Sequence, residues 1–285
     1  MDLEEIKDDL EELYNARSTF WVEDIPCFRN PHSNILWKFG PIFTERELEG
    51  SYEREWLLEA CGTCVATQVE GPNPGLQGVA KIRIQLPDDG RDPSTTEPKP
   101  SSTRVAKEFN NHDRLTKLGA SCTPKLLDYA LVTQQEGDPV PGGFLSILIM
   151  ERLPGRNLVN FGDLPMSERD QVRLAFAKTI REFYALKFIH IDPDRRNLMW
   201  DPEKKKCYII DLEDACQLGD KCAPKRFIPA LDFRFWGVAG PGINCNSCGL
   251  DPMVPYGDNT PVDPDDATLE KMAADAVGKE LVFGQ

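Results

Sequence analysis

The residues best suited to chemistry lie in one short stretch. His190-Ile191-Asp192-Pro193-Asp194-Arg195-Arg196-Asn197 is a polar loop holding an acid and an amide five residues apart. An apolar run, Leu198-Met199-Trp200, follows it, then a charged turn from Asp201 to Lys206. A second apolar run, Tyr208-Ile209-Ile210, ends on Asp211. Two strands joined by such a turn form a hairpin, which brings Asp192, Asn197 and Asp211 to one end. Two carboxylates and an amide carbonyl gathered there make a hard-oxygen donor set of the kind Mg²⁺ takes.

Other elements must hold that end in place. Residues 167–186 carry Val172, Phe176, Ile180 and Phe183 at helical spacing, with Ser167 as a candidate cap and Asp170 in the first turn. Earlier in the chain, residues 64–69 and 78–84 alternate as strands around the turn Gly71-Pro72-Asn73-Pro74-Gly75. A helix is expected from Ser102 or Thr103, with Val105, Phe109, His112, Leu115 and Leu118 on its apolar face. Residues 125–130 and 144–151 read as further strands, joined by a Gly/Pro/Asp-rich turn at 136–143. Residues 17–50, with Trp21, Phe28, Trp37, Phe39 and Phe43, suit short strands, and 51–60 a short helix. Residues 2–16 read as an amphipathic helix through Leu3, Ile6, Leu10 and Leu13. Residues 87–103 and 240–265 read as loop, and 268–278 as a terminal helix.

The pattern H-x-D-x-x-x-x-N, then a strand, then a strand ending in Asp resembles the core of the protein-kinase-like superfamily. Ile210-Asp211-Leu212-Glu213-Asp214-Ala215 is similar to the I-D-F-E-x-A of the small-molecule branch, the aminoglycoside and choline kinases. The whole chain also resembles small kinase-like proteins common in filamentous fungi. The resemblance spans residues 60–240 and is strongest over 189–215. It implies an α+β, two-lobed protein-kinase-like fold with an antiparallel-sheet N-lobe and a mainly helical C-lobe. The division it implies is an extension at 1–60, an N-lobe at 61–153, and a short C-lobe at 154–285.

The resemblance also implies roles. Asp192 would accept or orient the acceptor proton, and Asn197 and Asp211 would hold Mg²⁺. Glu213 would join a second metal or its water, on Asp211's face if the strand continues. Val79-Ala80-Lys81 resembles V-A-x-K, so Lys81 would bind the α- and β-phosphates of ATP; Arg83 shares its face, and a solvent-facing lysine is the plainer alternative. Glu108 would pair with Lys81, or be a solvated helical glutamate. Met150, Glu151 and Leu153, before Pro154-Gly155, would contact adenine at a hinge, against the alternative of an edge strand and turn. His190 would brace the loop rather than act as base. Asp232 to Gly237 is reminiscent of the D-x-W-x-x-G helix whose Asp braces the catalytic loop. The chain departs from the pattern in having Ile191 after the histidine and Asp194 two residues past Asp192. Arg195 is the candidate for the γ-phosphate contact, and the charge of Asp194 suits a cationic acceptor such as an amine. No G-x-G-x-x-G precedes Lys81, and no A-P-E follows Asp211.

The chain has 285 residues, 40% of them hydrophobic, and a net charge of −14. That balance argues against a general nucleic-acid or anionic-membrane binder, which needs clustered positive charge. The acidic N-terminus and the absence of a long apolar run lead to the expectation of a cytoplasmic protein with no membrane partner. Of nine cysteines, Cys61/Cys64 and Cys245/Cys248 have C-x-x-C spacing, a zinc-type pattern set against ordinary reduced thiols. The leading expectation is an ATP- and Mg²⁺-dependent phosphotransferase acting on a small-molecule hydroxyl or amine. The alternatives are a protein kinase, a pseudokinase, or a kinase fold turned to adenylyl transfer or aminoacyl condensation.

Overall fold

The computed structural model describes residues 25–88, 96–239 and 264–278. The helix expected at 2–16, Trp21, and the Cys245/Cys248 pair lie outside these residues. The described parts of Met1–Thr103 and Asp128–Ile149 form one compact unit, and those of Arg104–Leu127 and Met150–Gln285 form another. The chain passes between the units at Thr103/Arg104, Leu127/Asp128 and Ile149/Met150.

The first unit is built on a six-stranded sheet of order β1-β2-β3-β4-β6-β5. Its strands are β1 (Cys27–Arg29), β2 (Leu36–Tyr52), β3 (Glu55–Glu70), β4 (Gln77–Leu86), β5 (Leu126–Thr133) and β6 (Phe144–Glu151). The first four run antiparallel. Residues 51–60, expected as a helix, instead finish β2 and start β3. Tyr52 pairs with Glu55 across a two-residue turn, Glu53-Arg54, whose φ values are 49° and 76°. Such turns usually announce themselves by Asn-Gly or Asp-Gly; two non-glycine residues in the left-handed region hide the hairpin. β6 lies between β4 and β5, so it is interior and not an edge strand.

Both faces of β4 are covered. Ala80, Ile82, Ile84 and Leu86 are buried, and so are Lys81, Arg83 and Gln85 on the opposite face. Lys81 is therefore not a solvent-facing lysine. Arg83 is engaged by Glu59 at 2.6 Å in a fully buried ion pair. Breaking such a pair by removing one partner leaves an uncompensated charge. Cys61 and Cys64 sit three apart on the continuous strand β3, opposite Arg83 and Ala80, and so project to opposite faces. They do not form a joint metal site. Burial pushes the Cys64 thiol up to about 11 and raises those of Cys122 and Cys207 as well. Among the described cysteines, brief alkylation at pH 7.5 is expected to label exposed Cys27 and Cys222 and spare Cys64, Cys122 and Cys207. Mass mapping of the labelled peptides checks this.

The second unit holds α1 (Thr103–Lys117, counted from its first turn), α2 (Met166–Ala185), α3 (Pro229–Phe235) and α4 (Asp266–Gly278). It also holds β7 (Arg156–Asn157), β8 (Phe188–His190), β9 (Leu198–Asp201), β10 (Lys206–Ile209) and β11 (Ala215–Gln217). Its core is built on the expected face of α2, since Val172, Phe176, Ile180 and Phe183 are all fully buried. The helix starts at Met166 with Pro165 as its N-cap, not Ser167, and no side chain caps it. Pro165 ends the preceding turn in an extended conformation, which fixes the start one residue early. Leu118, expected on the buried face of α1, lies past its end and is exposed.

Gly155, just after β6, has φ +91°, and a β-carbon there would stand 1.9 Å from the Trp200 carbonyl oxygen. Only glycine lets the chain pass so close to β9. Gly155→Ala is expected to destabilise the protein by about 3 kcal/mol, measured by urea denaturation. Among the described residues, no helix is long and apolar enough to cross a membrane.

Candidate active site in the second unit

Helix α2 ends at Leu186, and Lys187 at φ +63° turns the chain into β8. β8 pairs antiparallel with β11, placing His190 opposite Ala215. That pairing sets the loop after His190 beside the segment after Asp211. β9 and β10 form the expected hairpin, with Leu198 opposite Ile209. Beyond that pair, the Ile210 N–H donates to the Asn197 carbonyl at 2.9 Å. Asn197 and Asp211 therefore flank the open end of the hairpin.

His190 ties the two segments together. The Asp192 N–H donates to its Nδ1 at 3.3 Å, so the ring proton is on Nε2, which donates to the Asp211 carbonyl at 3.1 Å. The Trp236 ring lies edge-on to the imidazole, with centroids 5.3 Å apart. With both nitrogens committed to backbone, His190 braces the loop. Asn197 donates from Nδ2 to the Asp192 carbonyl at 3.0 Å. Its other amide atom, Oδ1, is the one suited to a cation.

The loop itself is a 3-10 turn, Arg195–Asn197, capped by Asp194, whose carboxylate accepts from the Arg196 N–H at 2.8 Å. The Asp192 carboxylate is held by the Arg196 guanidinium at 2.7 Å. Arg195 is half-buried, and its Nη1 is buried. Strand and α-helix periods do not foretell the Arg196–Asp192 contact, because a 3-10 turn follows neither.

The second strand does not continue through Glu213. It ends at Ile209, and Asp211 takes a left-handed conformation, φ 60° and ψ 58°, before a 3-10 turn over Leu212–Asp214. A non-glycine residue there is held by its surroundings. Asn111, buried on α1, supplies part of that hold: its Nδ2 donates to the carbonyls of Leu212 at 2.7 Å and Ala215 at 2.8 Å. Asn111→Ala leaves both carbonyls without that donor, with an expected loss of about 2–3 kcal/mol of stability by thermal or urea unfolding.

The turn brings carboxylates together. Ligand oxygens of Glu108, Asp211 and Glu213 all lie within 4.8 Å of one another. Glu108 and Glu213 are buried, so Glu108 is not a solvated helical glutamate. Arg104, in the first turn of α1, bonds Glu213 at 3.0 Å. Burial first, then the Glu213 and Asp211 charges, push the neighbouring Asp214 carboxyl above its ordinary range. An all-oxygen, anion-rich cluster of this kind fits Mg²⁺ by donor type and charge.

Asp232 does not brace the loop as its motif implies. It accepts from Tyr184 at 2.8 Å, Lys225 at 3.0 Å and the Ile228 N–H at 2.7 Å, capping its own helix. Burial, and then the Asp232 charge, hold the Tyr184 hydroxyl well above the usual tyrosine range. Trp236 supplies the contact to His190 instead.

The remaining candidates are placed as follows. Lys81 is buried on β4 in the first unit. Met150 and Glu151 close β6, half-buried, and Leu153 lies two residues on. Arg104, Asn111 and Arg196 are the site residues that the motifs did not mark, and Trp236 entered only within the motif read for Asp232.

No family model matches the chain, and no curated protein matches it. Among solved structures, the PK-1 kinase of Cydia pomonella granulovirus aligns with a TM-score of 0.37 at 16% identity, over 61% of this chain. The chain spans about half of that kinase, 53% of its length. The chain combines a six-stranded sheet, antiparallel through its first four strands, with α-helices, an α+β arrangement.

Proposed function

We propose that the chain is an ATP- and Mg²⁺-dependent phosphotransferase whose acceptor is a small-molecule hydroxyl or amine. The observation that supports it most is the end of the β9–β10 hairpin, where Asp192, Asn197 and Asp211 are tied to one another through Asn197 and His190. Phosphoryl transfer asks little covalent chemistry of a protein; it asks for positioning, charge neutralisation and a proton acceptor. Asp192 orients the acceptor and takes its proton. Asn197 through Oδ1, Asp211 and Glu213 hold Mg²⁺, with Glu108 beside them. The metal, when bound, neutralises charge on the phosphate oxygens. Lys81 on the α- and β-phosphates and Met150, Glu151 and Leu153 at adenine are assigned by motif order along the chain, and Arg195 is the substitute for the family's γ-phosphate lysine, whose place Asp194 takes.

The second reading is a nucleotide-binding chain without turnover. It is favoured by the β2–β3 turn, Glu53-Arg54, which offers no glycine to cradle a phosphate. Two measurements separate the readings. Melting temperature is followed with ATP, with and without Mg²⁺, and ATP consumption is screened against alcohols, amines, sugars and a generic protein. A Mg²⁺-dependent rise together with consumption driven by a small acceptor supports the first reading. A rise without consumption supports the second, and no nucleotide effect rejects both.

A further inference from the structure

We propose that Arg104 takes the place of a second divalent cation at the carboxylate cluster, so that the site holds one metal ion and not two. This rests on the reading of that cluster as the Mg²⁺ site of a phosphotransferase. Arg104 Nη1 lies 3.0 Å from Glu213 Oε1. The Glu213 side chain is 2% exposed and that of Arg104 40%, so the guanidinium enters the cluster from the solvent side. A carboxylate buried that deeply needs a cation against it, and taking the cation away leaves an uncompensated charge. Helix α1 delivers the cation from one face. Arg104, Glu108 and Asn111 are spaced i, i+4, i+7 and lie in one line along it. All three reach the same stretch of chain. Asn111 bonds the Leu212 and Ala215 carbonyls, Glu108 brings its carboxylate to those of Asp211 and Glu213, and Arg104 bonds Glu213.

The helix dipole gives a separate reason to tie Arg104 to the cluster. A helix N-terminus carries partial positive charge and favours acids. The first turn of α1 has no acid and holds Arg104, whereas its last turn holds Arg114 and Lys117, as the dipole prefers. A cation set against the dipole is held there by the carboxylates. Charge then sets the number of metal ions. Glu108, Asp211 and Glu213 bring three negative charges within 4.8 Å. Arg104 offsets one, and a single dication balances the other two. A second dication at Glu213 would stand at side-chain distance from a guanidinium and be repelled by it. Without Arg104 the carboxylates exceed the charge of one dication, and the Glu213 oxygen that meets the guanidinium becomes a donor for another.

The test compares wild type, Arg104→Lys, Arg104→Gln and the double variant Arg104→Gln/Glu213→Gln. Native mass spectrometry counts Mn²⁺ per chain bound to a non-hydrolysable ATP analogue, calorimetry gives the affinity for each ion, and melting temperature is read with and without Mn²⁺ alone. Wild type and Arg104→Lys are expected to hold one ion. Arg104→Gln is expected to hold two, the second bound at least about tenfold more tightly than any second ion in wild type. The double variant, which loses one carboxylate with the cation, returns to one. Without metal Arg104→Gln melts below wild type, and Mn²⁺ raises its melting temperature by more than it raises that of wild type. Two ions in wild type, one ion in Arg104→Gln, or two in the double variant overturns the role of Arg104 and leaves the phosphotransferase reading standing. Wild type that binds the nucleotide without Mn²⁺, or binds neither, overturns that reading itself.

Discussion

Asp192→Asn is expected to lower kcat by roughly 10²–10⁴-fold while leaving Mg²⁺–ATP affinity within a few-fold of wild type. The carboxylate is the only atom group changed. Its backbone carbonyl, which accepts from Asn197, and its N–H, which reaches His190, remain. The hairpin end should therefore keep its shape, and the loss should fall on proton acceptance. Arg196 loses a charged partner but keeps its Asp194 cap and its Asn157 contact. Steady-state kinetics in ATP and in acceptor checks this: kcat falls and KM for ATP holds. An equal fall in ATP affinity would mean that Asp192 belongs to the nucleotide site and is not the base.

The second large effect is at the metal. Asp211→Ala is expected to abolish the Mg²⁺-dependent part of ATP stabilisation and to slow turnover by about 10³-fold or more. Asp211 sits where two demands meet. Its carboxylate is one of three within 4.8 Å, and its carbonyl accepts from His190 in a left-handed turn. Alanine keeps the carbonyl but tolerates that φ less well than Asp does, so some stability is also lost. Asp211→Asn separates the two effects. It keeps a side chain that favours the left-handed region and removes the charge, so it should match alanine in metal dependence and wild type in stability. Melting curves with EDTA, Mg²⁺ and Mg²⁺–ATP read both.

Much of the hairpin was legible because its signal is local. Short continuous apolar runs, a charged turn and a terminal acid mark β9 and β10 with no help from the rest of the chain. The long helix α2 was legible for the same reason, through Val172, Phe176, Ile180 and Phe183. What stayed hidden depends on backbone sign or on distant partners. Glu53 and Arg54 take positive φ without glycine, so a hairpin read as a helix. Asp211 turns the chain, so Glu213 reaches Asp211 by a 3-10 turn and not by strand alternation. Glu108 was marked as a partner for a lysine, and no sequence signal told that its carboxylate gathers with those of Asp211 and Glu213 from about a hundred positions away. Asn111 and Arg104 are polar residues on a helix whose sequence alone says nothing about the turn they hold. Trp236 was noticed only as part of a motif whose acid turned out to cap its own helix.

The central claim is that the hairpin end is a metal site for a nucleotide. A crystal grown with Mn²⁺ and a non-hydrolysable ATP analogue, with data collected above and below the manganese absorption edge, tests it most directly. An anomalous peak is expected bonded to Asp211 and to Asn197 Oδ1, with Glu213 or Glu108 beside it and phosphate oxygens completing the shell. A nucleotide bound with its manganese away from Asp211 and Asn197, or crystals in which neither binds, would contradict it.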